Sequence, residues 1–317
     1  MPPKKKWKVV CSTRCMIETI ERYRDLIEGR GAELIVPPVD QFLSEAELIA
    51  LLPDVDGVLA GDDEFTERVY AAAPRLKVVS KWGVGIDSID TEAAARHGVA
   101  VRNCRGSMND AVADITVGYA VALARRILET NAHTARGGWV KLEGVNVTGR
   151  TVGIVGVGNV GSEVARRFAG FRPRLLGNDP KGVPNELREQ TGIERVELDE
   201  LLRESDFVTL HCDLNPTSRG LIGDRELGRM KPSAFLINTS RGPVVEGAAL
   251  ERALAGHAIA GAALDVFERE PLRSGSPLRT MPNVILGCHT AYNSREAVEA
   301  TTRMTINNLF EVLEACP

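Results

Sequence analysis

TVGIVGVGNVGSEVARRF, from Thr151 to Phe168, reads as a strand, a glycine turn and a helix in immediate succession. Thr151 to Val155 is a short apolar run of valine and isoleucine. Gly156, Gly158 and Gly161 follow in G-x-G-x-x-G spacing, and Val164, Ala165 and Phe168 then recur at helical intervals. This order suits a dinucleotide. Gly156 permits the tight turn, Gly158 lets backbone approach a pyrophosphate, Gly161 lets helix and strand pack closely, and the helix N-terminus supplies N–H groups and a positive dipole end. A second strand, Arg174 to Asn178, ends at Asp179, where a carboxylate accepts from the adenosine ribose hydroxyls. Its charge repels a 2′-phosphate, so the pattern points to NAD rather than NADP.

The chain has 317 residues, enough for two domains, with 44% hydrophobic and 26% charged residues and a formal net charge of −4. This composition predicts a soluble globular protein and supplies no basic field for nucleic acid. Lys4 to Lys6, a basic run without an apolar stretch behind it, reads as a solvated tail rather than a targeting signal. The longest apolar stretch, Ala111 to Ala124, contains Asp114 and is too short and polar to span a membrane. Cys11, Cys15, Cys104, Cys212, Cys288 and Cys316 form no CxxC pair and read as buried free thiols, which favours a cytoplasmic location and argues against disulfides and a zinc site.

The first hundred residues alternate strand and helix signals. Strands are expected at Trp7–Cys11, Ala32–Val36, Gly57–Ala60, Leu76–Ser80 and Val99–Arg102, with a helix over Met16–Glu28, a capping box at Ser44 and Glu47, and a helix capped by Thr91. A long helix, Met108 to Thr130, then leads away. From Thr151 onward seven strands are expected: Thr151–Val155, Leu175–Asn178, Ile193–Val196, Phe207–His211, Ala234–Asn238, Ile259–Leu264 and Val284–Cys288. Helical connections between them specify a doubly wound parallel sheet. A last helix, Ser294 to Glu314, is expected to return to the first domain.

An open sheet of this kind binds ligand outside the carboxyl ends of its strands. Three successive strand ends there offer Arg241, then Asp265 with Glu270, then His289. Reduction of a 2-keto acid needs a planar cation for the carboxylate, an acid for the developing alkoxide, and a carboxylate to hold that acid's tautomer. His97 and His257 read as helix C-terminal caps and His133 as a surface residue, while His211, at another strand end, is the rival without an arginine and glutamate beside it.

KWGVGIDSID (Lys81–Asp90), DAVADITVGYAVALAR (Asp110–Arg125), the glycine turn, INTSRGPVV (Ile237–Val245), LDVFEREP (Leu264–Pro271) and CHTAYNS (Cys288–Ser294) occur in one order. In them the chain resembles, over nearly its whole length, the D-isomer-specific 2-hydroxyacid dehydrogenases. The resemblance implies an α/β fold in which a doubly wound parallel (Rossmann) cofactor domain, residues 104–289, is inserted into a smaller flavodoxin-like α/β substrate-binding domain, residues 1–103 and 290–317. It implies NAD as cofactor, a homodimer formed through the cofactor domain, and interconversion of a 2-keto acid and a D-2-hydroxy acid by hydride transfer.

Carried over by position, Arg241 binds the substrate carboxylate, His289 is the acid in reduction and the base in oxidation, and Glu270 stabilises the imidazolium. Cofactor contacts fall to Gly156, Gly158, Asn159, Val160, Gly161, Asp179, Thr239 and Asp265. Substrate contacts fall to the backbone N–H groups of Val84 and Gly85, to Arg241 and to Tyr292. Formate dehydrogenases of the family carry glutamine where this chain has Glu270. Asp213, where relatives often have proline, and Met108, where a smaller residue is usual, depart from the family pattern. Lys81 meets a substrate phosphate or is a surface residue; Trp82 and Tyr292 line a pocket or pack between domains. An alternative of another class is an NADH-sensing corepressor of the same fold, which HTAYNS (His289–Ser294) also resembles. No regulatory domain is expected beyond Pro317.

Overall fold

The computed structural model describes residues 6–316, so Lys4 and Lys5 of the basic run lie outside the described residues. The chain divides into two compact units, one running to Met108 and resuming at Ser294, the other Asn109–Asn293.

In the first unit β1 (Trp7–Cys11), β2 (Ala32–Ile35), β3 (Gly57–Ala60), β4 (Val78–Lys81) and β5 (Ala100–Arg102) form a parallel sheet in the order β2-β1-β3-β4-β5. Every residue of β3 and β4 is buried, as central parallel strands covered on both faces are, Ser80 and Lys81 at the end of β4 included. The helices are α1 (Arg14–Ile17), α2 (Glu21–Glu28), α3 (Glu45–Leu51), α4 (Glu67–Ala72) and α5 (Thr91–Arg96). The expected helix over Met16–Glu28 is thus two pieces. The capping box forms as read, with the Ser44 N–H donating to Glu47 Oε2 at 2.8 Å and the Ser44 side chain accepting from the Glu47 N–H. At α5 the cap is Asp90 rather than Thr91: Asp90 Oδ1 accepts the Ala93 N–H at 2.9 Å, and the ionised oxygen also suits the positive helix end.

The second unit opens with α6 (Asn109–Ala124) and α7 (Ile127–Ala135), where one long helix was expected; the break is at Arg126, whose φ of 51° is left-handed. Seven strands follow: β6 (Thr151–Val155), β7 (Arg174–Asn178), β8 (Glu194–Arg195), β9 (Phe207–Leu210), β10 (Phe235–Asn238), β11 (Gly261–Leu264) and β12 (Val284–Leu286). With them run α8 (Asn159–Ala169), α9 (Asn185–Thr191), α10 (Leu198–Glu204), α11 (Asp224–Leu227) and α12 (Gly247–Ala255). All pairs are parallel, in the order β12-β11-β10-β9-β6-β7-β8, which is a doubly wound Rossmann sheet. Alternate residues feed two cores. Val152, Ile154, Leu175, Phe207, Ile237 and Ala263 pack with α6 and α8, whereas Leu176, Val208, Leu210, Leu236, Ala262 and Leu264 pack on the other face with α10 and α12.

The last helix, α13 (Arg295–Ala315), belongs to the first unit and packs on β3, β4 and β5 through Ile306, Leu309, Phe310 and Leu313, all buried. Strand order in the second unit reverses between β6 and β9, so ligands are expected at the carboxyl ends of those strands and of β10 to β12.

Candidate active site

The glycine turn has the shape its spacing predicts. Gly156 has φ 88°, and a Cβ there would meet the His211 and Cys212 backbone. A Cβ on Gly161 would overlap the Gly156 carbonyl, so α8 approaches the end of β6 this closely only because residue 161 is glycine. Gly158, the N-cap of α8, is different: nothing in the protein lies near its absent Cβ. Within the chain a side chain would fit there. The open backbone at a helix N-terminus is the space a pyrophosphate uses, with Asn159 and Val160 supplying the first helical N–H groups.

Asp179 is held at the end of β7 beside this turn. Its Oδ2 accepts the Val157 N–H at 2.9 Å and its Oδ1 the Lys181 N–H at 2.8 Å. His211, at the end of β9, has its Nε2 2.8 Å from Thr209 Oγ1 while its buried Nδ1 has no partner. Burial lowers its pKa to about 3, so the ring is neutral at physiological pH. A neutral ring cannot be the general acid of a protonated imidazole mechanism, and no carboxylate partners it. The turn and the acid beside it fit a dinucleotide. Thr239 is buried, its hydroxyl 3.1 Å from that of Thr116 on α6.

The three charged strand ends emerge side by side, because Asn238 pairs with Leu264 across β10 and β11, and Leu264 with Leu286 across β11 and β12. Beyond β10 the buried Asn238 shapes the turn: its Oδ1 accepts the Ser240 N–H at 3.0 Å and its Nδ2 donates to the Arg241 carbonyl at 3.0 Å. Arg241 is half-buried and its Nη1 donates to the Ser240 carbonyl at 2.9 Å. Beyond β12, His289 Nδ1 lies 2.7 Å from Glu270 Oε2, so this candidate acid and its carboxylate meet directly.

Asp265, fully buried, organises the turn that carries the histidine. Its carbonyl accepts the His289 N–H at 2.7 Å, and its carboxylate accepts the Thr290 N–H at 3.2 Å and the Ala291 N–H at 2.7 Å. The turn needs this support, because His289 has φ 57° and a non-glycine residue in the left-handed region persists only when its surroundings fix it. Tyr292 packs edge-on against the His289 ring, with centroids 6.4 Å apart.

Val84 and Gly85 lie in the first unit, in the loop after β4. That loop is clamped by Asn103, whose Nδ2 donates to the Val84 carbonyl at 2.6 Å, and by the Cys104 N–H donating to Gly83 at 2.8 Å. Lys81 is not a surface residue. Its buried Nζ donates to the Trp82 carbonyl at 3.0 Å and pairs with Asp62 at 3.0 Å. The Trp82 ring is buried too, its Nε1–H donating to Thr302 at 3.0 Å. Cys288, read as a buried thiol, is exposed, and Cys15, Cys212 and Cys316 are only partly buried. It stands past the end of β12, where alternation no longer dictates burial.

The sequence reading passed over Tyr119, Asn238 and Asn103. Only Tyr119 left a signal, as the single aromatic in α6. Among the described residues no helix is long and apolar enough to cross a membrane, and no group of His, Cys, Asp or Glu is arranged to hold a metal ion.

Comparison with known proteins agrees with this geometry. The family model for the D-isomer specific 2-hydroxyacid dehydrogenase NAD binding domain matches residues 117–291. A glyoxylate reductase of Korarchaeum cryptofilum is 39% identical over 274 residues, covering 84% of this chain and 82% of its own. A D-3-phosphoglycerate dehydrogenase of Methanocaldococcus jannaschii is 36% identical over 275 residues, 86% of this chain and 52% of its own. The crystal structure of the TT0316 protein from Thermus thermophilus superposes with a TM-score of 0.85 at 34% identity, over 97% of both chains.

Proposed function

This chain belongs to the D-isomer specific 2-hydroxyacid dehydrogenase family, and on that premise we propose that it reduces a small, unphosphorylated 2-keto acid such as glyoxylate. It is an NAD-dependent oxidoreductase that interconverts 2-keto and 2-hydroxy acids. The relatives named are a reductase and a dehydrogenase, and nothing supports the corepressor alternative.

The observation that carries the mechanism is the contact of His289 Nδ1 with Glu270 Oε2 at 2.7 Å. A carboxylate at Nδ1 fixes that nitrogen as the N–H side and assigns proton transfer to Nε2. In reduction Nε2–H gives its proton to the substrate oxygen as the carbonyl becomes a hydroxyl; in oxidation the same nitrogen takes it back. Glu270 stabilises the charged ring. The Arg241 guanidinium offers a planar fork to the substrate carboxylate, and the Val84 and Gly85 N–H groups are assigned to the same carboxylate. When bound, NADH supplies the hydride for the keto carbon. Gly156, Gly158, Asn159, Val160 and Gly161 would hold its pyrophosphate, Asp179 its adenosine ribose, and Thr239 and Asp265 would lie toward the nicotinamide. Tyr292, edge-on to the ring of the acid, would bound the substrate. In this reading residues 104–289 bind the cofactor and residues 1–103 with 290–317 the substrate.

The choice of an unphosphorylated acid rests on Lys81, whose charge is engaged by Asp62, and on the name of the first relative above. A cytoplasmic location is in keeping with six free thiols. A homodimer is supported by Ile127, Leu128, Trp139, Val140 and Val145, which are exposed on one short stretch of the second unit; Trp139 is 85% exposed. Trp139→Asp combined with Leu128→Asp is expected to give a monomer by sedimentation equilibrium, and unchanged mass would remove this support.

The deciding test is NADH oxidation against glyoxylate, hydroxypyruvate, pyruvate and phosphohydroxypyruvate, beside His289→Ala. Turnover of an unphosphorylated acid, with kcat reduced about 10²–10⁴-fold in the variant and NADH still bound, is expected. Preference for phosphohydroxypyruvate would overturn the substrate assignment, and an active variant the mechanism.

A further inference from the structure

We infer that Tyr119 is a positioning residue for the reaction assigned above, its hydroxyl tying α6 to the Asp265 carboxylate and so fixing the turn that presents His289. The inference rests on that assignment for its kinetic consequence, though not for its structural one.

The Tyr119 hydroxyl donates to Asp265 Oδ1 over 3.4 Å, a long bond. That same oxygen accepts the Thr290 N–H, while Oδ2 accepts the Ala291 N–H and the Asp265 carbonyl the His289 N–H. Three successive amides of the turn therefore hang on one residue. The phenol gives that carboxylate an anchor from outside the turn it supports. The phenol is the side-chain group that meets it from α6. Burial and the neighbouring Asp265 charge both raise the tyrosine pKa, so the group stays protonated and donates.

A second observation concerns Gly287, the residue after β12 and two before His289. A Cβ built there would stand 2.6 Å from the Tyr119 hydroxyl and closer still to Asp265 Oδ1. Its φ is not left-handed, so the backbone itself does not demand glycine. Glycine clears the space in which phenol and carboxylate meet. On α6 the buried neighbours Thr116 and Ala120 are small, which leaves Tyr119 to span the distance.

Volume alone would be served as well by phenylalanine. Tyr119→Phe therefore isolates the hydroxyl. In the full-length protein without substrate, hydrogen exchange of the Thr290 and Ala291 amides is expected to quicken about three- to tenfold, the factor one modest hydrogen bond represents. With the best keto acid and NADH, kcat is expected to fall by a similar factor while KM moves less than about twofold, because the acid is misaligned and ground-state binding is kept. In an Asp265→Ala background, which has no acceptor for the phenol, the same substitution is expected to add nothing. Gly287→Ala, which pushes a methyl at the same oxygen, is expected to quicken the same two amides.

Unchanged exchange at Thr290 and Ala291 in Tyr119→Phe would overturn the inference, whatever the fate of Gly287→Ala. So would a loss of kcat equal in both Asp265 backgrounds, or an effect on KM alone. Should the wild type reduce no keto acid, the assigned reaction fails, and the exchange data still decide whether Tyr119 holds the turn.

Discussion

Glu270 reaches His289 with one oxygen while its other oxygen is pinned: Oε2 lies 2.7 Å from Nδ1, and Oε1 accepts the Phe267 N–H at 3.0 Å. The carboxylate is thus oriented by its own loop before it orients the imidazole. Replacing it by Gln keeps the shape and removes the charge. Both side chains are about a third exposed, so solvent moderates the effect, and a fall in kcat of about tenfold is expected rather than the full value of a buried charged bond. Steady-state kinetics of Glu270→Gln would check this; an unaltered kcat would mean the contact is ornamental.

Arg241→Lys keeps a positive charge and loses the fork. If the guanidinium grips a carboxylate with two parallel N–H groups, kcat/KM should fall about 10–100-fold. A lysine variant with native kcat/KM would show that charge alone suffices.

Asp265→Ala strips two amides of their acceptor beside a left-handed histidine. The buried Ala291 N–H left without its acceptor costs about 1–3 kcal/mol and the N–H of the exposed Thr290 less, so melting should drop by a few degrees and kcat with it. Native melting and native turnover together would show that the turn holds itself.

His211 predicts a pH dependence of stability. Its folded pKa is near 3, against 6.5 when exposed, so between those values the unfolded chain binds a proton that the folded chain refuses. Stability should therefore fall on acidification from pH 6.5 toward about 3, on the order of 1.4 kcal/mol per pH unit at most from this group. His211→Asn lacks the effect, and its melting temperature should depend less steeply on pH through that window. Parallel curves for the two proteins would contradict the assignment.

The glycine turn, the acid after β7 and the charged strand ends were legible because each is local: a run of β-branched residues, a spacing, a residue just past a strand. The break at Arg126 was not, since neither glycine nor proline marks it and the left-handed residue there is an arginine. Asp90 and Thr91 are both good caps, and only the backbone decides between them. Tyr119 and Asp265 stand 146 positions apart, and nothing in either segment announces the other. Lys81 was ambiguous for the same reason, because its partner Asp62 lies on the loop after a different strand.

Helix α13 closes the core of a unit whose strands were all made some two hundred residues earlier. On the ribosome, β1 to β5 emerge long before the apolar stripe of Ile306, Leu309, Phe310 and Leu313 that covers them, while the whole of Asn109–Asn293 emerges in one piece between. Until then the nascent first unit has β3 and β4 uncovered on one side. The second unit is free to finish first, an order that protease digestion of stalled nascent chains would register.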